Sequence, residues 1–161
     1  MLFRSVKLLI DTQLIYWWLV EPTRLPAEAQ RLVEDSTDSV MVSVASEWVL
    51  AIKVGTKKIG LDMPTFSQGI DNAGFDRLGI TPLHTHAVAQ LPQFDDHKDP
   101  FDRLLVAQSR SEPLVLLTTD GKLARYGALL IRQCEVSREF MVRHAHHERE
   151  KFIQIIAGSI R

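Results

Sequence analysis

Four aspartates of this chain occupy positions from which their carboxylates could act together. Asp11 and Asp120 each close a short apolar run, and Asp99 and Asp102 stand at the start of an amphipathic segment. Asp99 and Asp102 are three residues apart on a predicted helix and therefore project in similar directions. Three or four carboxylates at one edge of a sheet would make a divalent-metal site, because hard cations prefer oxygen ligands.

The segment that begins at Asp99 has the features of a helix start. Asp99 is a favourable N-cap residue, and Pro100 fits the first helical position, where its missing N–H costs nothing. Asp102 then falls at the third helical position, where a carboxylate can meet free backbone N–H groups. The two acids could therefore serve only to start this helix, and that alternative stays open beside the metal site.

The elements that must position these acids alternate along the chain. We expect strands near residues 6–10, 40–44, 77–80, 114–117 and 128–131, and helices near residues 14–20, 27–35, 45–54, 66–73, 82–91, 100–109 and 122–126. Residues 55–67, with two glycines and a proline, are expected to form a loop or a broken turn. This alternation predicts an α/β fold with three layers, a central parallel sheet between helices, and a C-terminal helical extension. Ligands of such sheets gather beyond the carboxyl ends of the strands, where Asp11 and Asp120 are placed.

Composition limits the class of protein. The 161 residues suggest one domain with a substantial core, 45% are apolar and 24% are charged, as in ordinary globular proteins. One cysteine excludes an internal disulfide framework, and the short apolar run at the start favours a strand over a signal peptide. We expect a cytoplasmic protein with no membrane association. A net charge of −1 argues against nucleic-acid binding by bulk charge alone.

Five short motifs in the same order resemble those of PIN-domain proteins, and among them the VapC-type toxins of bacterial toxin–antitoxin pairs. The resemblance spans residues 7–131 and rests on Leu-Leu-Ile-Asp11-Thr12 with Trp17-Trp18, Val-Ser43-Val-Ala-Ser46, Ala51-Ile-Lys53, Asp99-Pro-Phe-Asp102-Arg-Leu-Leu-Val-Ala-Gln, and Leu-Leu-Thr118-Thr-Asp120 with Ala124-Arg-Tyr-Gly127. Each motif is weak by itself, and their common order makes the resemblance strong.

The resemblance implies a PIN-like domain over residues 1–131, with a helical tail over 132–161. It implies a Mg²⁺- or Mn²⁺-dependent endoribonuclease that cleaves RNA phosphodiester bonds, forms a homodimer and is silenced by a cognate antitoxin. It also implies that Asp11, Asp102 and Asp120 form the acidic catalytic and metal site, with Asp99 beside them.

The chain departs from the family pattern on one helix. Val49 stands where the pattern Ser-x-Trp-Glu-Ile-x-Ile-Lys has glutamate, and Glu47 lies two positions earlier. Two residues turn an α-helix by about 200°, so Glu47 should point away from the site and act as a first-turn acid. A distorted helix start would instead let Glu47 reach the metal. A binding protein with weakened catalysis is therefore the alternative to a ribonuclease.

Hydroxyl and basic side chains near these motifs are further candidates. Thr12, Ser43 and Thr118 are placed to support the acids or a phosphate, although hydroxyls at strand ends are also common caps. The basic residues that could line an RNA path are Lys53, Lys57, Lys58, Arg103 and Arg125. The alternative is that these residues form an ordinary charged surface that faces solvent. His97 is a possible neighbour of the site.

Two apolar stretches suggest self-association. Residues 14–19 are apolar and aromatic, and the tail places Phe152, Ile155, Ile156 and Ile160 at helical spacing. One small domain does not readily hide this much apolar surface, so we expect one or both to contribute to a homodimer. His144, His146 and His147 of the tail are weak candidates for metal ligands.

Overall fold

The computed structural model describes residues 7–36 and 39–130. Its elements follow the predicted alternation: β1 (Leu8–Ile10), α1 (Thr12–Leu19), a 3₁₀ turn (Pro22–Arg24), α2 (Ala27–Glu34), β2 (Val40–Ser43), α3 (Val44–Gly55), α4 (Met63–Asn72), β3 (Asp76–Leu78), α5 (Pro82–Gln90), α6 (Pro100–Ser111), β4 (Val115–Thr118), α7 (Gly121–Ala124) and β5 (Leu129–Leu130). The expected tail over 132–161 lies outside the described residues.

The strands form one parallel sheet in the order β3-β2-β1-β4-β5. Successive strand side chains face opposite sides of a sheet. Leu8 and Ile10 accordingly pack into one buried cluster with α1 and α2, while Leu9 packs into a second with α5 and α6. The sheet is thus covered on both faces, which confirms the predicted three-layer architecture.

The loop expected over residues 55–67 is shorter than predicted. Helix α4 begins at Met63, because Asp62 caps it and accepts hydrogen bonds from the backbone N–H and the hydroxyl of Thr65. Pro64 lies in the first turn, where its missing N–H removes no helical hydrogen bond. The proline that suggested a break is therefore part of a helix start.

Half of the apolar residues of α1 are withdrawn from the surface. Leu14, Ile15 and Trp17 are buried in the core beneath the sheet. An exposed apolar stripe lies on α3, where Trp48 is 55% exposed and Val44 and Ile52 lie one helical turn to either side of it. Tyr16, Trp18 and Leu19 are half-buried, so the contribution of residues 14–19 to a dimer stays a prediction.

No helix in the described ranges is both long enough and apolar enough to cross a membrane.

Candidate metal centre

The four aspartates line one cleft of about 540 Å³ at the carboxyl edge of the sheet. Asp11 follows β1 and Asp120 follows β4, and these two strands are neighbours. Asp99 and Asp102 reach the same cleft from the start of α6. The fold thus brings together the acids that the sequence placed at separate strand and helix ends.

Asp11 is the most deeply buried of these acids. It caps α1, accepting a hydrogen bond of 2.8 Å from the backbone N–H of Leu14. Burial raises the pKa of Asp11 to about 6, although hydrogen bonds from Thr118 and Leu14 act in the opposite direction. The negative charge of Asp102 adds to the rise. A bound cation would favour the charged form of this carboxylate.

Thr118 connects Asp11 to Asp120. Its side chain is fully buried and hydrogen bonds to the Asp11 carboxylate, while its oxygen accepts the backbone N–H of Asp120 at 3.0 Å. Asp120 caps α7 by accepting the N–H of Lys122 at 2.8 Å. Thr118 thus contacts both acids, and its role as their support stays a prediction.

Asp99 and Asp102 differ in what they contact. Asp99 is the N-cap of α6 and accepts the backbone N–H groups of Phe101 and Asp102 at 2.9 and 3.0 Å. Burial, followed by the charge of Asp99, raises the pKa of Asp102. The capping alternative therefore applies to Asp99, which still lines the cleft. The carboxylate of Asp102 is not used as a cap.

His97 joins two of these acids in a compact group. Its Nε2 lies 3.2 Å from Oδ2 of Asp102, and one ligand atom from each of His97, Asp102 and Asp120 lies within 4.8 Å of the others. No ion pair within the described ranges links Asp102 or Asp120 to lysine or arginine. Carboxylates without a cationic partner and a buried imidazole are a donor set that fits a divalent cation.

Helix α3 supplies the opposite wall of the cleft through Val49, Leu50 and Lys53. Glu47 is not among the lining residues, because its Oε1 accepts a hydrogen bond of 2.8 Å from Nε of Arg77. The regular helix gives no distortion that would turn it toward the metal. The structure therefore corrects Glu47 as a candidate metal ligand and leaves Val49 at the position facing the acids.

Two further candidates serve the fold and not the cleft. Ser43 caps α3 and donates a hydrogen bond of 2.6 Å to Oε1 of Gln108, and both side chains are fully buried. Arg103 is also buried and donates to the carbonyls of Pro92 and Val88 and to the Tyr126 hydroxyl. Neither residue lines the cleft. The expectation that Arg103 contacts RNA is wrong, because its guanidinium points into the core.

The other candidates divide between the cleft and the surface. Thr12 lines the cleft and donates a hydrogen bond of 2.9 Å to the Ser46 hydroxyl. Lys53 also lines it, whereas Lys57 and Lys58 are exposed outside it. Arg125 forms an ion pair of 2.9 Å with Asp96. Of the basic residues expected to form an RNA path, only Lys53 therefore lies in the cleft.

Three residues at the far end of the cleft were missed by the sequence analysis. Tyr16, Glu21 and Arg24 all line it, and Arg24 forms an ion pair of 2.8 Å with Glu21. The signal that could have found Tyr16 is the N-cap Asp11, since Tyr16 lies little more than one helical turn further along α1. The cleft is thus acidic at the sheet edge and has Lys53 and Arg24 at its rim.

The chain is similar in sequence or fold to several known proteins. The sequence profile of the PIN domain matches residues 8–129. The chain is 33% identical over 116 residues to ribonuclease VapC22 of Mycobacterium tuberculosis, covering 71% of this chain and 88% of that protein. A crystal structure of VapBC2 from Rickettsia felis bound to a DNA fragment from their promoter superposes with a TM-score of 0.59. Its identity of 12%, over 79% of this chain and 98% of the other, supports the shared fold alone.

Proposed function

This chain belongs to the PIN-domain family and to its VapC-type members, and from that membership we propose that it is a metal-dependent endoribonuclease, the toxin of a toxin–antitoxin pair. The observation that carries the proposal is the convergence of Asp11, Asp99, Asp102 and Asp120 on one cleft. The similarity to ribonuclease VapC22 of Mycobacterium tuberculosis supports ribonuclease activity.

The proposed cofactor is Mg²⁺ or Mn²⁺, held by Asp11, Asp102 and Asp120. Such an ion supplies positive charge beside the attacked phosphodiester and lowers the pKa of the attacking water. Asp102 and Asp120 carry charge that no lysine or arginine within the described part of the chain neutralises through an ion pair. Their role is to bind and orient the ion, while Thr118 fixes the spacing between Asp11 and Asp120.

The basic rim of the cleft is proposed to hold the RNA backbone. Lys53 lies on the α3 wall, opposite the acids, and Arg24 lies at the far end. Lysine and arginine bind phosphate oxygens through charge-assisted hydrogen bonds. Lys53 has no carboxylate partner among the ion pairs of the described residues and is the stronger candidate, since Arg24 already pairs with Glu21.

Cleavage of RNA in the presence and absence of metal tests this function. The purified chain should cleave single-stranded RNA with Mg²⁺ or Mn²⁺, and EDTA should abolish cleavage until excess metal restores it. Asp11→Asn should remove activity while keeping the helix cap, because the amide oxygen can still accept the Leu14 N–H. Cleavage that persists in EDTA, or in the purified Asp11→Asn variant, would contradict the proposal.

A second candidate is a PIN-domain binding protein with weakened catalysis. Val49 lines the cleft at the position where the family pattern has glutamate, and Glu47 is engaged elsewhere by Arg77. Valine offers neither a metal ligand nor a hydrogen-bond acceptor. RNA that binds tightly but remains uncut at saturating Mn²⁺ would favour this candidate.

The proposed partners are RNA, a cognate antitoxin and a second copy of this chain. The antitoxin is proposed from the membership in the VapC-type group. The dimer is supported by the exposed stripe of Val44, Trp48 and Ile52, which lies on the helix that borders the cleft. Cytoplasmic location follows from the same proposal, because an RNA-cleaving toxin must reach cellular RNA.

A further inference from the structure

We propose that His97 is a nitrogen ligand of the cation in this cleft and that the centre therefore selects a transition ion, Mn²⁺, over Mg²⁺. This inference rests on the proposed function and adds the identity of a ligand and the preference among metals. It adds His97 to the centre proposed for Asp11, Asp102 and Asp120. His97 does not line the cleft itself but lies behind its wall, against Asp102 and Asp120, which do.

The distances within the group suit coordination. Two neighbouring ligands of an octahedral ion with bonds of about 2.1 Å lie roughly 3.0 Å apart. His97 Nε2 and Asp102 Oδ2 are 3.2 Å apart, and the group with Asp120 spans no more than 4.8 Å. Shifts of less than about 1 Å would bring all three ligand atoms onto one ion.

The imidazole of His97 is held in place from behind. Its side chain is only 4% exposed, and its ring lies 5.8 Å from the Tyr126 ring, centroid to centroid. Arg103 donates to both the Tyr126 hydroxyl and the Pro92 carbonyl at the start of the loop that carries His97. A ligand fixed in this way loses little side-chain entropy when an ion binds.

The hydrogen-bonding state of His97 does not oppose ligation. Its Nδ1 is buried and has no hydrogen-bond partner among the residues that the structure describes. Because Nδ1 lacks a partner whichever nitrogen carries the proton, the proton can move from Nε2 to Nδ1 without breaking a bond at Nδ1. An ion at Nε2 would then replace the hydrogen bond to Asp102.

The opposite wall explains why a nitrogen ligand matters in this chain. Helix α3 presents Val49 and Leu50 to the cleft, so no ligand reaches the ion from that side except through water. His97 adds a ligand beside α6 where α3 supplies none. Imidazole binds first-row transition ions well, whereas Mg²⁺ keeps oxygen ligands and waters. The resulting donor set favours Mn²⁺.

Electron spin-echo spectroscopy of bound Mn²⁺ tests the proposal directly. The full chain, stripped with EDTA and loaded with Mn²⁺, should show ¹⁴N modulation from a coordinated imidazole. His97→Gln should lose the modulation and about 10–100-fold in Mn²⁺ affinity, with Mg²⁺ affinity changing less than about threefold. Glutamine retains an N–H donor for Asp102, so this variant separates ligation from hydrogen bonding. The control His86→Gln, at an exposed position on α5, should match the wild type.

Three results from the wild type and His97→Gln would overturn the proposal. These are absence of ¹⁴N modulation in the Mn²⁺-loaded wild type, its persistence in His97→Gln, and equal weakening of Mn²⁺ and Mg²⁺ by that substitution. A variant with His144, His146 and His147 changed to glutamine must keep the modulation, since its loss would assign the nitrogen to the tail. Metal-dependent RNA cleavage without ¹⁴N modulation would refute this proposal alone. Failure of both Mn²⁺ binding and cleavage would refute the proposed function as well.

Discussion

Glu47 on α3 and Arg77 on β3 form an ion pair of 2.8 Å that holds the only acid in the first turn of α3 away from the cleft. Arg77 also donates to Asp71 and to the backbone carbonyl of Ser67, so the pair belongs to a network between α3, α4 and β3. Val49, two residues later on the same helix, lines the cleft instead.

The first prediction is that position 49 controls activity and position 47 does not. Val49→Glu should lower the Mn²⁺ concentration for half-maximal RNA cleavage by about 10–100-fold, because it adds a carboxylate opposite Asp11, Asp102 and Asp120. Glu47→Gln should leave that concentration unchanged and cost about 1 kcal/mol of stability, since the ion pair is partly exposed. Dose–response curves of cleavage against Mn²⁺ measure both effects. Loss of cleavage in Glu47→Gln, with no effect of Val49→Glu, would reverse the assignment.

The second prediction concerns pH and stability in EDTA. Burial raises the pKa of Asp11 to about 6 in the folded chain, above the ordinary aspartate value of 3.8, so the folded state binds more protons between these values. Raising pH through this window therefore destabilises the protein, by about 3 kcal/mol in full. Asp11→Asn should remove that cost, making the variant more stable than wild type at pH 8 and about equal near pH 4.

Urea unfolding at several pH values measures this effect. Asp76→Asn, at an exposed position outside the cleft, should show no such difference from wild type. Saturating Mn²⁺ should stabilise wild type but not Asp11→Asn, because an ion that binds only the folded state adds stability. The prediction fails if Asp11→Asn is less stable than wild type at every pH. The hydrogen bonds of Asp11 would then stabilise the folded state by more than the burial of its charge destabilises it.

The third prediction separates two basic residues that the sequence grouped together. Arg103→Leu should lower the free energy of unfolding by about 2–4 kcal/mol, because the carbonyls of Pro92 and Val88 lose their donor. Lys53→Gln should leave stability unchanged but weaken RNA binding about tenfold. The slope of log binding constant against log salt concentration should become less steep by about 0.7, because one phosphate contact is lost. Thermal unfolding and RNA titrations at several salt concentrations test the pair. A destabilised Lys53→Gln with normal RNA affinity would contradict the proposed rim.

The fourth prediction places the dimer contact on α3. Trp48 is 55% exposed and its ring lies 5.1 Å from that of Phe101 in an edge-to-face arrangement. Trp48→Lys should convert a dimer at tens of micromolar into a monomer, because it puts a charge into the apolar stripe. Leu83→Lys on α5, where leucine is 59% exposed, is the matched control and should remain dimeric. Sedimentation that shows monomers for wild type would rule out this contact.

The sequence predicted the order of elements and the sheet edge because apolar runs and capping residues are local signals. Asp11, Asp99 and Asp120 are all N-caps, and their position at strand and helix ends was visible without the fold. The burial of Arg103 could not be predicted from the sequence, because it depends on carbonyls that lie 11 and 15 residues away along the chain. The partner of Glu47, 30 residues away, was hidden for the same reason.

The central claim is that the acids of the cleft hold a divalent cation for RNA cleavage. Mn²⁺-dependent cleavage of single-stranded RNA by wild type, Asp102→Asn and Asp76→Asn tests it most directly, with circular dichroism to confirm that each protein is folded. Asp102 lines the cleft beside His97, whereas Asp76 is exposed on β3. We predict that wild type and Asp76→Asn cleave at the same rate and that Asp102→Asn is at least about 100-fold slower. Equal cleavage by Asp102→Asn and wild type would contradict the account.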